Sequence, residues 1–94
     1  MTPETKLKVA IQKYLKTLEP DLWQFKVHGS AFQKVGVPDF VGSYKGRFIA
    51  IEGKSEKGKL SDKQVVEIEK IRKAGGAVVV AYSLEQVKGF MEAI

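Results

Sequence analysis

The stretch GVPDFVGSYKGRFIAIEGK, residues Gly36–Lys54, decides how this chain is read. Two runs of largely apolar and aromatic residues, Asp39–Tyr44 and Arg47–Glu52, flank the dipeptide Lys45-Gly46. A two-residue connection of this kind makes a tight hairpin, because its backbone twist matches that of the strands it joins. The turn then sets the register. Tyr44 pairs with Arg47, Ser43 with Phe48, and so on until Asp39 stands opposite Glu52. Directly opposed residues have Cβ atoms ~4.5–5.5 Å apart, where like charges destabilise a sheet. Two carboxylates kept in that position call for something positive between them, and a divalent cation with oxygen ligands meets the need.

Alternation along the hairpin puts Asp39, Val41, Ser43, Phe48, Ala50, Glu52 and Lys54 on one face, and Phe40, Tyr44, Ile49 and Ile51 on the other. The acidic pair is thus polar among apolar neighbours, at the edge of the sheet. Buried charges are costly unless paired or bound to metal. Lys54, two residues beyond Glu52 on the same face, neutralises that residue in the simplest structural reading, but this leaves Asp39 without a partner. The functional reading assigns every member a task. Asp39 and Glu52 hold Mg²⁺ or Mn²⁺, the backbone carbonyl of Gly53 completes the site, and Lys54 orients a water or stabilises charge developing on a phosphoryl group. Pro38 fixes φ just ahead of Asp39 and biases Val37 toward extended backbone, which aims the carboxylate.

Working outward, Thr2 caps a first helix with Pro3 at its opening position and Glu4 in its first turn. Leu7, Ala10, Ile11, Tyr14, Leu15 and Leu18 follow the helical period, and Pro20 ends the element. Lys6, Lys8, Lys13 and Lys16 read as its solvated face. Leu22–Val27 is a first strand, and Trp23 on it reads as core. Residues His28 to Pro38 form a loop. Beyond the hairpin, Ser55–Lys59 is a second loop, and Ser61-Asp62-Lys63-Gln64 is a capping box opening a helix to about Ala74, with Val65, Ile68 and Ile71 as its apolar face. Gly75-Gly76 closes it, Ala77–Tyr82 is a short buried strand, and Ser83-Leu84-Glu85-Gln86 is a second capping box. Val87, Phe90, Met91 and Ile94 face inward from the last helix. The expected fold is α/β, in the order α-β-β-β-α-β-α, with a mixed four-stranded sheet flanked by helices. The strand–helix–strand passage supplies its parallel pairing.

The 94 residues suffice for a single domain spanning 1–94. A composition of 44% hydrophobic and 29% charged residues is globular, and the lack of cysteine excludes disulfides and thiolate metal sites and suggests a reducing compartment. No signal core or membrane span is visible, so a cytoplasmic, intracellular protein is expected. Sixteen Lys+Arg against eleven Asp+Glu give a net charge of +5. Lys54, Lys57, Lys59 and Lys63 crowd the segment after the acidic pair, a pattern suited to phosphates. Lys57 and Lys59 are the leading DNA contacts, with Lys63 in the same cluster. Ser30, Gln33 and Lys34 lead toward Asp39 and are further candidates, and His28, the one histidine, is a minor one.

The Gly-x-Pro-Asp strand, the Glu-x-Lys strand and the following Ser-x-x-Gln helix resemble the PD-(D/E)xK nuclease superfamily and its restriction-endonuclease-like core. More narrowly they resemble the virus-type replication-repair nuclease (VRR-NUC) domain, from Glu4 through "LSDKQ" to "GGAVVVAYSLEQV". The resemblance implies that Asp39 and Glu52 are metal ligands and Lys54 is catalytic. It implies that Glu4 adds to the metal site and that Gln64 joins the catalytic set. Each of these two also has an ordinary role, in favouring the helix dipole and in completing a cap. Gly53 departs from the pattern, which often carries a larger apolar residue there. Glycine in a strand signals a bulge or a close backbone approach. The implied activity is a metal-dependent DNA endonuclease, selective for branched DNA, acting as a homodimer on four-way junctions in recombination or replication repair. The alternatives are a basic nucleic-acid-binding module with a structural acidic pair, and a nuclease of flaps or single strands.

Overall fold

The computed structural model describes residues 1–28 and 34–94. Its elements run α1 (Pro3–Thr17), β1 (Leu22–Lys26), β2 (Phe40–Tyr44), β3 (Arg47–Gly53), α2 (Asp62–Lys73), β4 (Ala77–Ala81) and α3 (Leu84–Glu92). This is the expected order, with the first and last strands each one residue shorter than the sequence reading. The sheet order is β1-β2-β3-β4, antiparallel across the first three strands and parallel between β3 and β4.

The hairpin register agrees with the expected one from Tyr44↔Arg47 to Phe40↔Ile51. Lys45 and Gly46 take φ of 52° and 80°, the left-handed pair a type I′ turn requires. The ladder ends there, and Asp39 stands one residue beyond it. Gly53 forms no bulge, since β3 and β4 pair without a break from Ile49↔Ala77 to Gly53↔Ala81. One expectation is corrected: β2 and β3 are the central strands, so the acidic pair lies at the end of the sheet's middle rather than at a lateral edge.

The two faces of the sheet are covered unequally. On one, Phe40, Ile49 and Ile51 meet Ile11 and Leu15 of α1 and Val87 and Met91 of α3, forming the main core. On the other, Ile68 of α2 packs with Ala50 and Val78 in a smaller cluster. Trp23, Phe25 and Phe48 are left outside it, with 65%, 49% and 45% of their surface exposed. Trp23 is therefore not core. It pairs with Ser43, which pairs with Phe48, so the exposed rings belong to one face of β1–β3, and Trp23 and Phe25 pack edge to face at 5.6 Å. Val65 is likewise exposed, and the buried face of α2 is made by Glu67 and Ile68.

Both helix caps form where the sequence places them, with one difference. Ser61 and Gln64 make the full reciprocal box. At α3, Ser83 accepts the Gln86 N–H, but the Gln86 side chain reaches past it to the Tyr82 N–H. Among the described residues no helix is long and apolar enough to cross a membrane.

Candidate active site

Asp39 is fixed by three neighbours from different parts of the fold. Its backbone carbonyl accepts the Val27 N–H at 2.7 Å, tying it to the end of β1. Its Oδ2 accepts the Gly53 N–H at 2.9 Å, and its Oδ1 lies 3.2 Å from the Lys8 ammonium. The residue before it, Pro38, is fully buried. Gly36, with φ +91°, brings the approaching chain against the Lys63 backbone at the start of α2, where a side chain has no room. The segment is thus held from β1, β3, α1 and α2 together.

Glu52 is 2% exposed, a carboxyl that directly follows the apolar run Phe48–Ile51 of β3. Burial first, and the neighbouring Asp39 carboxylate second, push it up to about 8, against weaker pulls from Lys54 and Lys8. Near neutrality the pair therefore keeps one proton. Among the described residues no ion pair joins Glu52 to Lys54 or to any other cation, so simple neutralisation of Glu52 by Lys54 does not describe the site. Lys54 is half-buried, with its N–H donating to the Ala81 carbonyl at 2.9 Å, which fixes its backbone beside β4.

Glu4 reaches the site only through Lys8. The ammonium of Lys8 lies 3.1 Å from Glu4 Oε2 and 3.2 Å from Asp39 Oδ1. Lys8 is therefore not part of a solvated helix face. Burial draws its pKa down, but Asp39 and Glu4 outweigh that and hold it above the usual value, so it is charged. The i, i+4 spacing of Glu4 and Lys8 is visible in the sequence; the reach from α1 to Asp39 is not. Gln64 uses its Oε1 to accept the Ser61 N–H at 2.9 Å, so its ordinary capping role is realised.

The basic candidates divide. Lys57, Lys59 and Lys63 are exposed and make no ion pair among the described residues. Lys57 lines a depression with Pro3, Ser55 and Glu56, between the start of α1 and the loop after β3. Lys34 instead pairs with Glu67 at 3.1 Å, and Lys70 approaches the same carboxylate at 3.5 Å. Burial raises Glu67, but the two lysines more than offset it and hold its carboxyl below the usual range. Ser30 and Gln33 lie outside the described residues, and His28 is exposed.

No three carboxylate or imidazole side chains converge among the described residues. What converges is an Asp–Glu pair, two carboxyl groups that offer hard oxygen donors. That donor set fits a cation of the Mg²⁺ kind, which takes one or two carboxylates and keeps several of its waters.

A mixed four-stranded sheet of this order, flanked by helices, is a restriction-endonuclease-like α/β fold. The model of the VRR-NUC domain matches residues 10–85, well over half of the chain, and the chain belongs to that nuclease family. A solved VRR-NUC domain superposes with a TM-score of 0.77 at 26% identity, covering 98% of this chain and 97% of that one. The Holliday junction resolvase Hjc of the archaeal hyperthermophile Archaeoglobus fulgidus has a TM-score of 0.58 at 23% identity. It covers 82% of this chain and 65% of its own, a likeness of fold. No curated protein matches the chain.

Proposed function

We propose that this chain is a metal-dependent DNA endonuclease selective for branched DNA, with Asp39 and Glu52 as metal ligands and Lys54 as the catalytic lysine. The observation that carries the reading is Glu52, a buried carboxyl set against a second carboxylate and ion-paired with no lysine among the described residues. Such a group is costly in a purely structural role. A divalent cation, when bound, supplies charge to a phosphoryl oxygen and makes a water more acidic.

The chain's own groups do the rest. Glu52 would hold the cation as its carboxylate, and the Gly53 N–H holds Asp39 Oδ2 so that this carboxylate keeps its orientation. The Gly53 carbonyl would be the backbone donor of the set. Lys54, anchored through its N–H and free of any ion pair among the described residues, is available to the attacking water or to a non-bridging phosphate oxygen. Lys57, Lys59 and Lys63 take neighbouring phosphates, which makes binding fall steeply with salt. Gln64 keeps its capping bond through Oε1, and its amide nitrogen is the group that would join the catalytic set. The acting species is a homodimer, because two sites related by a two-fold axis cut two strands of a junction symmetrically. The uncovered rings of Trp23, Phe25 and Phe48 support an association of this kind.

The test compares wild type with Asp39→Ala and Lys54→Ala on a four-way junction, a duplex and a flap, each with Mg²⁺ or Mn²⁺. Cleavage should fall by about a hundredfold or more in both variants, with folding and most of the junction binding retained. Undiminished cleavage by both rejects the site. Absence of metal-dependent cleavage by wild type on every substrate points to a binding module, and equal rates on duplex and junction remove the preference for branched DNA.

A further inference from the structure

Lys8 occupies the ground that the metal reading needs. Asp39 has two oxygens: one accepts the Gly53 N–H at 2.9 Å, and the other lies 3.2 Å from the Lys8 ammonium. The same ammonium is 3.1 Å from Glu4. Its side chain is 21% exposed and that of Asp39 18%, so water does little to screen the contact. The stem of Lys8 reaches Asp39 across Gly53, where a Cβ would stand 3.5 Å from Lys8 Cγ and 3.4 Å from Ile11 Cδ1. A large side chain at position 53 would crowd that path; glycine leaves it open.

We propose that Lys8 is a built-in counter-cation of the Asp39–Glu52 site, which pairs with Asp39 while no metal is bound and must leave it when a divalent cation enters. The proposal rests on the reading of Asp39 and Glu52 as metal ligands. Two cations a few ångströms apart on one half-buried carboxylate repel strongly, so their occupancy of Asp39 is mutually exclusive. The displaced ammonium has a place to go, because Glu4 lies one turn back on the same helix and stays within its reach. Glu4 then serves as the resting place of Lys8 rather than as a metal ligand. Lys8 thereby raises the metal concentration at which the site loads, and steadies the carboxylates below it.

The experiment is calorimetric titration of DNA-free protein with Mn²⁺, on wild type, Lys8→Met, Lys8→Arg and Asp39→Ala, with folding checked by circular dichroism and thermal melting in chelator. Lys8→Met should bind Mn²⁺ about tenfold more tightly than wild type, and melt lower in chelator, a gap that narrows at saturating metal. Lys8→Arg keeps the charge and should stay within about threefold of wild type. Unchanged or weaker binding by Lys8→Met overturns the proposal, as does tightening of the same size by Lys8→Arg, which would make packing the cause. If wild type binds Mn²⁺, Asp39→Ala does not, and Lys8→Met matches wild type, the metal reading stands without the counter-cation. If none of the four binds Mn²⁺, the metal reading fails and takes the proposal with it.

Discussion

Glu52 holds its proton over a range in which an ordinary glutamate has lost it, because burial and the adjacent Asp39 both disfavour its charge. The consequence for stability has a definite sign. Between the ordinary value of 4.5 and about 8, the folded chain binds a proton that the unfolded chain releases. Unfolding free energy therefore falls as pH rises through that window, opposite to the behaviour of a salt-bridged carboxylate. In chelator, the thermal midpoint should drop between about pH 5 and about pH 8.5, and Glu52→Gln, which cannot ionise, should flatten the slope. Equal slopes for the two proteins would mean that Glu52 titrates normally. Added metal binds the ionised form, so it should restore most of the midpoint at the alkaline end.

At the scale of elements, two glycines in the central strands separate steric need from conformational need. Gly42 lies on β2 beside β1, where a Cβ would overlap the Trp23 carbonyl oxygen and come within 2.9 Å of Gln24 Cα. Backbone cannot retreat without breaking the β1–β2 ladder, so Gly42→Ala should cost about 3 kcal/mol in urea unfolding. At Gly53 the added methyl meets only ordinary contacts of 3.4–3.8 Å, so Gly53→Ala should change stability by less than about 1 kcal/mol. The reverse ranking would contradict the packing described for β2. The same distinction explains what was legible in the sequence. The hairpin register, the Ser61–Gln64 box and the order of elements depend on residues close along the chain, and all three could be read directly. Trp23 was misread because alternation assigns a residue to a face but does not say whether a helix covers it. Here α2 packs over β3 and β4 and leaves the β1 side open. Lys8 was misread for a related reason: its partner Asp39 lies on another layer, and only tertiary packing brings them together. The adjacency of Asp39 and Glu52 was legible, whereas the bonds that occupy both oxygens of Asp39 were not.

The whole molecule has one well-covered sheet face and one half-covered face. A domain of 94 residues buries a modest share of its chain, so exposed rings on that second face are a cost it does not easily offset alone. Trp23 and Phe25 lie on β1 and Phe48 on β3, forming on one face of the sheet a strip of exposed rings interrupted at Ser43 of β2. The exposed Val65 and Val66 of α2 add apolar surface elsewhere on the chain. A second copy is the partner the proposed activity asks for, since symmetric cutting of two strands needs two sites held at a fixed spacing. An isologous contact would set each strip against its twin, and introducing charge there would place like charges across the two-fold axis. Sedimentation equilibrium should therefore give wild type a mass near twice 10.4 kDa, and the double variant Trp23→Glu/Phe25→Glu the mass of a single chain. Trp23 pairs with Ser43, four residues along the chain from Asp39, so the single variant Trp23→Glu should retain its metal affinity. Junction cleavage by the double variant should shift from paired to single nicks. A monomeric wild type at tens of micromolar, or a dimeric double variant, would assign the strip to some other contact and require the paired-site account of cutting to be abandoned or moved to another surface.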